Sequence, residues 1–299
     1  MSLLVVGTLA YDTIETVAER RVEVLGGSAT YVSLGASRFA PVSVVGVVGE
    51  DFRASDIELL KKAGVDTSGV EVARGETFRW SGRYEGDWNK RVTLATHLNV
   101  LADFDPKITK AGRASRFLFL ANASPEVQLK ALSQVDKPAF TMMDTMNLWI
   151  DNTRDDLLKV LRKVDAVVLN DEEARMLTGE RNLIRAAAAV LGLGPRYVVL
   201  KKGEHGAFLM GSDVHFAIPA YPVENVVDPT GAGDSFAGGF MGSLAAAGRC
   251  DPPALRKAML YGTITASFCV EAFSVESLQR LTRAQIDARY DELLQIVTV

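Results

Sequence analysis

The chain has 299 residues, of which 48% are hydrophobic and 23% are charged, and its formal net charge is −4. This composition is typical of a folded globular enzyme and argues against a disordered chain. A mildly acidic protein lacks the basic footprint of nucleic-acid-binding proteins, so we expect a small-molecule partner and no nucleic acid.

The N-terminal residues and the cysteines favour a cytoplasmic protein without a membrane partner. No apolar run reaches the roughly 18 residues that a membrane-spanning helix needs. The start, MSLLVVGTLAYD, has no basic region before its apolar run, so we interpret it as a first buried strand and not as a signal peptide. Cys250 and Cys269 are too few for a disulfide framework, and the three histidines form no spaced cluster with them that predicts zinc.

Short apolar runs recur along the chain and predict buried strands. Runs that are apolar throughout are typical of parallel strands covered on both faces. These runs are 3–8, 42–49, 116–122, 139–144, 166–171 and 197–202. Between them, apolar residues at helical spacing predict a helix over 154–164, with Thr153 and Asp156 as a variant capping box. Strand–helix alternation predicts an α/β doubly wound, mostly parallel sheet, with ligands outside the carboxyl ends of its strands.

The stretch 66–100 departs from this alternation. It is rich in Thr, Val, Arg and aromatic residues, with turn signals at Gly75 and at Gly86-Asp87, and it predicts antiparallel strands. An antiparallel insertion in an α/β enzyme is a candidate lid over the active site. The alternative is an edge meander with no role in the site.

The run VVDPTGAGDSFAGGFMGSLAAAG at 226–248 carries the strongest functional signal. Phe236, Phe240 and Leu244 are spaced by four, which predicts a helix that ends at Gly248. The small residues before this helix leave its first backbone N–H groups uncovered, and the helix dipole adds positive potential. The sequence therefore predicts an anion site at the helix entrance.

Asp234 lies in the first turn of this helix, directly after Gly231, Ala232 and Gly233. A first-turn Asp often does no more than stabilise the helix dipole. An anion hole beside a carboxylate is, however, what phosphoryl transfer requires, because the N–H groups stabilise the moving phosphoryl group and the carboxylate accepts the proton of the attacking hydroxyl. The chain has no P-loop motif and no G-x-G-x-x-G after the first strand, which disfavours a P-loop enzyme and a dehydrogenase.

The run DPTGAGDSFAGGF closely resembles the C-terminal signature of the ribokinase family, also called the PfkB-type carbohydrate kinases. The likeness extends over nearly the whole chain. The other similar segments are VVGTLAYD (5–12), GGSATYVSLGASRF (26–39), VVGVVGEDF (44–52), DTMNLW (144–149), LNDEEA (169–174) and KKGEHGA (201–207). The first of these resembles a first strand that ends in the substrate-binding Asp. The resemblance implies a ribokinase-like fold with a small antiparallel β lid, and an ATP-dependent kinase that acts on a hydroxyl of a sugar or sugar derivative.

The resemblance also implies a role for each matching residue. Asp234 would be the base, and the amides of Gly231, Ala232 and Gly233 would form the anion hole. The other implied ligands are Asn170, Lys201, Gly203, Gly206 and Thr230 for ATP, Glu173 for Mg²⁺ through water, Asp228 for K⁺ as in some relatives, and Asp12, Gly26, Gly27, Tyr31, Asp144 and Asn147 for the acceptor.

Three of these assignments have structural alternatives. Lys201 would reach a phosphate as a point charge or lie on the surface. Glu173 would act near Mg²⁺ or be a solvated first-turn acid. Asp144 and Asn147 would line the acceptor pocket or form a strand-end turn with an Asx cap.

The sequence departs from ribokinase-like sugar sites at two positions. Ala10 and Tyr31 stand where the family pattern has Asn, which makes ribose in the usual pose doubtful. Tyr31, Trp80 and Trp88 would stack on a sugar face or a nucleobase, or pack in the core or lid. The aromatic residues favour a nucleoside kinase and the D-x-x-N-x-W run favours a sugar kinase, so both stay open. A non-catalytic regulator would have no need of Asp234.

The resemblance finally predicts one domain over 1–299, with lid strands from about 13–25 and 72–98. Exposed strand edges invite pairing between copies of a chain. We therefore expect a homodimer formed through the lid strands, as in several relatives.

Overall fold

The computed structural model describes residues 1–298. The strands are β1 (Leu3–Val6), β2 (Ala10–Glu15), β3 (Arg20–Gly26), β4 (Val42–Gly49), β5 (Val65–Ala73), β6 (Arg79–Tyr84), β7 (Arg91–His97), β8 (Phe117–Leu120), β9 (Phe140–Asp144), β10 (Ala166–Asn170), β11 (Tyr197–Lys201), β12 (Ala207–Gly211) and β13 (His215–Ile218). The α-helices are α1 (Ser28–Ala36), α2 (Ala54–Lys62), α3 (Lys110–Arg113), α4 (Pro125–Leu132), α5 (Asn147–Asn152), α6 (Arg154–Leu161), α7 (Asp171–Thr178), α8 (Leu183–Leu191), α9 (Ala232–Ala247), α10 (Pro252–Cys269), α11 (Glu276–Arg280) and α12 (Arg283–Val297).

The main sheet has the strand order β13-β12-β11-β10-β9-β8-β1-β4-β5. Neighbours from β5 to β11 run parallel, and β12 and β13 are antiparallel at one edge. In β1, Leu3 and Val5 pack in one core layer and Leu4 and Val6 in the other, which is why the strand is apolar throughout. All six predicted strand runs lie in this sheet, and the predicted doubly wound fold is confirmed.

A separate four-stranded sheet has the order β3-β2-β6-β7. Its two hairpins, β2–β3 and β6–β7, are antiparallel, and β2 and β6 join them as a parallel pair. The prediction of antiparallel strands was wrong for the start of the stretch 66–100, because β5 runs parallel to β4 in the main sheet. β5 is an edge strand with many exposed residues, so its mixed composition resembles that of an antiparallel strand.

Helix α6 confirms the apolar face predicted over 154–164, since Leu157 and Leu161 are buried. The predicted capping box is wrong. Thr153 accepts no cap bond, and its hydroxyl donates instead to the carbonyl of Trp149, 3.2 Å away, because α5 ends directly before α6. Among residues 1–298, the structure has no helix that is both long and apolar enough to cross a membrane.

Helix α9, which begins at the predicted anion site, is held in place by close packing against α1 and α10. Gly238 faces α1, where a Cβ would lie 2.6 Å from the carbonyl oxygen of Val32. Gly239 faces α10, where a Cβ would lie 2.3 Å from the hydroxyl of Thr265. The glycines of the run AGGF therefore let three helix backbones approach closely, and this fixes the direction of the α9 N-terminus.

Replacing Gly238 with Ala should lower the free energy of unfolding by about 1–3 kcal/mol, because the added methyl group meets the rigid backbone of α1. The control is Ala246→Leu, which adds a larger side chain on the exposed face of the same helix and should change stability by less than about 0.5 kcal/mol. Denaturant unfolding measures both variants. Equal stability of Gly238→Ala and wild type would contradict the close packing.

Candidate active site

Three neighbouring parallel strands bring polar side chains to one edge of the main sheet. Asp144 ends β9, Asn170 ends β10 and Lys201 ends β11. The ammonium of Lys201 lies 3.5 Å from a carboxylate oxygen of Asp144, and the side chains of the pair are 17% and 7% exposed. The alternative that Lys201 is a surface residue is therefore wrong.

The loop before α9 is braced by a buried carboxylate. The side chain of Asp228 accepts hydrogen bonds from the amides of Thr230 at 2.9 Å and Ser274 at 3.1 Å. Gly231 follows with a φ of 77°, and a Cβ there would lie 2.4 Å from the ring of Tyr31. Only glycine satisfies both the left-handed backbone and this close approach.

The entrance of α9 offers donors and positive charge. The amide of Ala232 donates to the carbonyl of Pro229, whereas the amides of Gly231 and Gly233 donate no backbone hydrogen bond within residues 1–298. A Cβ on Gly233 would lie 2.7 Å from the ammonium nitrogen of Lys201, so that charge sits against the first turn of the helix. This combination is suited to an anion.

Several carboxyl groups share this small volume. Burial raises the pKa of Asp234 to about 7, and repulsion from Asp144 adds to the shift while Lys201 opposes it. Burial also raises the pKa of Asp144. Burial alone would lower the pKa of Lys201, but attraction to Asp144, Glu173 and Asp234 outweighs it, and the pKa is raised. Lys201 therefore keeps its charge.

Asn170 and Glu173 form a reciprocal capping box at the start of α7. The amide of Glu173 donates to the side chain of Asn170, and the amide of Asn170 donates to a carboxylate oxygen of Glu173, both at 2.8 Å. Glu173 is only 5% exposed, so the alternative of a solvated first-turn acid is wrong. Burial, followed by repulsion from Asp144, raises its pKa to about 7.

Two of the predicted acceptor ligands, Asp12 and Gly26, lie in the small sheet. β1 ends at Val6, so Asp12 is not at the end of the first strand as predicted, but lies in β2. A Cβ on Gly26 would lie 2.0 Å from a carboxylate oxygen of Asp12, and a Cβ on Gly27 would lie 2.5 Å from the carbonyl of Thr8. Burial, with repulsion from other carboxylates, raises the pKa of Asp12 to about 7.

Two of the candidate stacking residues are packed instead. Tyr31 is 1% exposed, its ring lies against Gly231, and its buried hydroxyl has no hydrogen-bond partner within residues 1–298. Trp80 is 9% exposed in a cluster with Ile14. Asn147 is the first residue of α5 and is half-buried. The cap of α5 is Met146, so the Asx-cap alternative for Asn147 is wrong.

Contacts from the small sheet reach the nucleotide-binding candidates. The hydroxyl of Tyr84 lies 3.2 Å from that of Thr230. In the 85–90 turn, the side-chain nitrogen of Asn89 donates to a carboxylate oxygen of Glu204, 3.3 Å away, in the loop between Gly203 and Gly206. A Cβ on Gly203 would lie 1.7 Å from the Asn89 side chain. Gly206 packs similarly against the carbonyl of Ile218, where a Cβ would lie 2.0 Å away.

Arg91 is a charged residue that the sequence interpretation missed. It begins β7, pairs with Tyr84 in the strand register, and its guanidinium lies over the ring of Trp80 at 5.3 Å. Its charge acts against the burial that raises the pKa of Asp12 and of Asp234. The sequence signal that could have identified Arg91 is its position directly after the turn of the predicted lid.

Comparisons with known proteins identify the family and the fold of the chain. A family model described as pfkB family carbohydrate kinase matches residues 2–280. A cytidine kinase of Thermococcus kodakarensis is 32% identical over 248 residues, which cover 81% of this chain and 87% of that protein. A nucleoside kinase of Burkholderia thailandensis, solved in complex with inosine, has a TM-score of 0.82 at 18% identity and covers 98% of this chain and 99% of its own. A protein of E. coli described as ribokinase II, in complex with ATP and Mg²⁺, has a TM-score of 0.79 at 19% identity, with 97% and 99% covered.

Because several carboxyl groups are buried, we expect the free energy of unfolding of the ligand-free protein to fall as pH rises. The folded chain binds protons on Asp12, Glu173 and Asp234 more tightly than the unfolded chain, because their pKa values are raised from 3.8 or 4.5 to about 7. Their contribution is therefore full below about pH 4 and is lost as pH rises through about 7. Asp234→Asn removes one such group, so the variant should unfold at a higher temperature than wild type at about pH 8, with a smaller difference at about pH 5.

Thermal unfolding across this pH range measures the effect, with Asp136→Asn as the control because Asp136 is exposed. If Asp234→Asn is less stable than wild type at high pH, the ionised carboxylate of Asp234 does not destabilise the folded chain.

Proposed function

Because the chain belongs to the pfkB family of carbohydrate kinases, we propose that it transfers the γ-phosphate of ATP to a sugar hydroxyl of a nucleoside. Membership of the family makes the chain a phosphotransferase that acts on a hydroxyl group. The observation that carries the proposed mechanism is the α9 entrance, where Asp234, two free amides and the ammonium of Lys201 converge. An acid next to positive groups is arranged for proton removal beside a phosphate.

In the proposed reaction, Asp234 accepts the proton of the acceptor hydroxyl as its oxygen bonds to the γ-phosphorus. The bond from phosphorus to the β-γ bridging oxygen breaks, and ADP leaves with that electron pair. The amides of Gly231 and Gly233 and the charge of Lys201 stabilise the negative charge on the phosphoryl oxygens. Asp12, on the opposite side, accepts hydrogen bonds from neighbouring hydroxyls of the acceptor.

Arg91 completes the positive half of the site in this proposal. It is carried by the small sheet, beside Tyr84, whose hydroxyl already touches Thr230 at the nucleotide end. A cation delivered by a lid neutralises the transferring phosphoryl group when the lid is closed, and it leaves with the lid for product release. Asn89, which contacts the loop Gly203–Gly206, would close the same edge.

A magnesium ion fits the residues around Glu173. The carboxylate gives one oxygen to the capping box, and the other accepts no hydrogen bond from residues 1–298, so it is available to a water of the ion. Mg²⁺ keeps most of its waters and needs few direct protein ligands, and when bound it would neutralise the phosphate oxygens of ATP. Within residues 1–298 there is no cluster of three or more His, Cys, Asp or Glu arranged for a metal. K⁺ is proposed beside Asp228, whose loop enters the anion hole.

The nucleoside acceptor is favoured over a free sugar by two independent features. The relative that is 32% identical over most of both chains is a cytidine kinase. In this chain, Ala10 and Tyr31 replace the amides of the usual sugar site, and Tyr31 is packed under Gly231 where it offers no contact to sugar hydroxyls along its ring. A site without these two amide side chains makes fewer polar contacts with a sugar. The binding energy must then come from another part of the acceptor, which in a nucleoside is the base.

A homodimer through the small sheet is part of the same proposal. The outer strands β3 and β7 carry exposed apolar side chains, namely Val22, Val92 and Leu94, which are 57%, 45% and 45% exposed. Strand edges with apolar neighbours favour pairing with another copy. We also place the enzyme in the cytoplasm and expect no nucleic-acid partner, in keeping with two free cysteines and a net charge of −4.

Replacing Asp234 with Asn should abolish acceptor-dependent ADP formation, with a loss of at least about 100-fold in kcat, because the base is removed. ATP affinity should remain. In the wild type, kcat/KM should rise with pH and level off above about 7, where Asp234 is ionised. A coupled ADP assay over sugars and nucleosides measures both quantities. If Asp234→Asn keeps the full rate, the proposed base is wrong, and if no acceptor stimulates the wild type, the kinase proposal is wrong.

Replacing Arg91 with Gln should lower kcat by about 100-fold and leave acceptor KM nearly unchanged, because a charge at the phosphoryl group acts in the transition state. Arg83→Gln is the matched control. Arg83 lies in the same hairpin but pairs at the surface with Glu15 and Glu85, each at 3.1 Å. Steady-state kinetics with saturating ATP measure both variants. Equal kinetics for the two variants would remove Arg91 from the mechanism.

A further inference from the structure

Asn122 links the acceptor side of the site to a tryptophan. It follows β8, at the carboxyl edge of the main sheet. Its backbone carbonyl accepts a hydrogen bond from the hydroxyl of Ser28 at 3.2 Å, and Ser28 directly follows Gly26-Gly27. Its side-chain oxygen accepts one from the indole N–H of Trp149 at 2.9 Å. Asn122 therefore fixes the distance between the ring of Trp149 and the Gly26-Gly27 pair, which packs against Asp12.

The amide group of Asn122 is held at both ends. Its nitrogen contacts the sulfur of Met146 at 3.0 Å while its oxygen holds Trp149. The ring of Trp149 is fixed as a consequence, since its only polar atom is engaged by a group that cannot turn without losing both contacts.

Trp149 is half-buried, in contrast to the packed rings of Tyr31 and Trp80. It lies in α5, which begins three residues after Asp144 leaves the strand edge. Its only polar atom is hydrogen-bonded to Asn122, so the rest of the indole is apolar, and it lies in the helix that follows the strand ending at Asp144. Trp149 is the Trp of the D-x-x-N-x-W run, and an indole can also lie against the apolar face of a sugar, but a flat heteroaromatic ring makes the larger stacking contact with it.

We propose that Trp149 is the stacking platform for the nucleobase of the acceptor, positioned by Asn122. This inference rests on the proposed nucleoside kinase function. Asp12 and Gly26-Gly27 hold the ribose, and the glycosidic bond places the base at a fixed distance from it. The hydrogen-bonded series Ser28–Asn122–Trp149 supplies an equally fixed distance in the protein. Because every base has an aromatic face, the platform favours nucleosides over free sugars without choosing strongly between bases.

The test compares three acceptors with the full-length enzyme: cytidine, inosine and 1-O-methyl-ribofuranoside, which has the ribose but no base. Trp149→Leu should lower kcat/KM for both nucleosides by about tenfold or more, mainly through KM, and leave the methyl riboside unchanged. Trp149→Phe keeps an aromatic face and should retain most of the nucleoside preference. Tyr290→Leu, which removes a half-buried aromatic ring on α12 that stacks on Tyr261, is the control and should affect all three acceptors equally or not at all.

A binding measurement without ATP gives an independent readout. The chain has three tryptophans, and stacking of a base on one of them quenches its fluorescence. Cytidine should quench the wild type and not Trp149→Phe, even though that variant remains active. Because Trp149→Phe is conservative, this arm remains informative if Trp149→Leu folds poorly.

The outcomes separate the inference from the function on which it rests. A uniform loss over all three acceptors would make Trp149 a support for Asp144 and would overturn the platform, as would unchanged kinetics or quenching that persists in Trp149→Phe. All three results leave the nucleoside kinase activity of the wild type intact. A wild type that phosphorylates the methyl riboside or free sugars and no nucleoside would overturn the proposed acceptor, and the platform with it.

Discussion

The ammonium of Lys201 holds the site together, because it is the buried positive charge around which the carboxyls of Asp144, Glu173 and Asp234 are arranged. Acids that share one volume repel each other, and burial makes their ionised forms costly. Lys201 offsets part of this cost, and its position against the first turn of α9 ties the ends of β9 and β11 to the helix that carries Asp234. The raised pKa values show that the compensation is incomplete. ATP with its metal ion would alter the same balance.

Much of this site could be predicted from the sequence because its key features are local. The proposed anion hole and base fall within four consecutive residues, and glycine at 231 is required by a backbone angle that sequence alone suggests. The buried strands were also predictable, since strands covered on both faces have no alternation to misread. β5 was misassigned for the opposite reason, because one exposed edge gives it the composition of an antiparallel strand.

What the sequence could not show are contacts between distant segments. The hydrogen bond from Tyr84 to Thr230 spans 146 residues, and that from Asn89 to Glu204 spans 115. Neither pair is distinguished by residue type or spacing. Burial is similarly invisible at single polar positions. From the sequence, Lys201 and Glu173 each had a surface alternative, and only the packing around β10 and β11 excludes it. The sequence allowed Tyr31 to stack on a ligand, but in the structure its ring packs beneath Gly231.

The two acids that we propose to face the acceptor are carried by different parts of the molecule. Asp12 belongs to β2 of the small sheet, whereas Asp234 belongs to α9 of the main body. An acceptor that reaches both acts as a strut whose length is tested by the protein. A molecule that is too short, such as water, satisfies one part and leaves the other unmatched, so it gains no help in reaching the phosphoryl group. In the proposed reaction, the placement of Asp12 on the small sheet and of Asp234 on a helix of the main body therefore favours an acceptor that reaches both over water, and so limits futile hydrolysis of ATP.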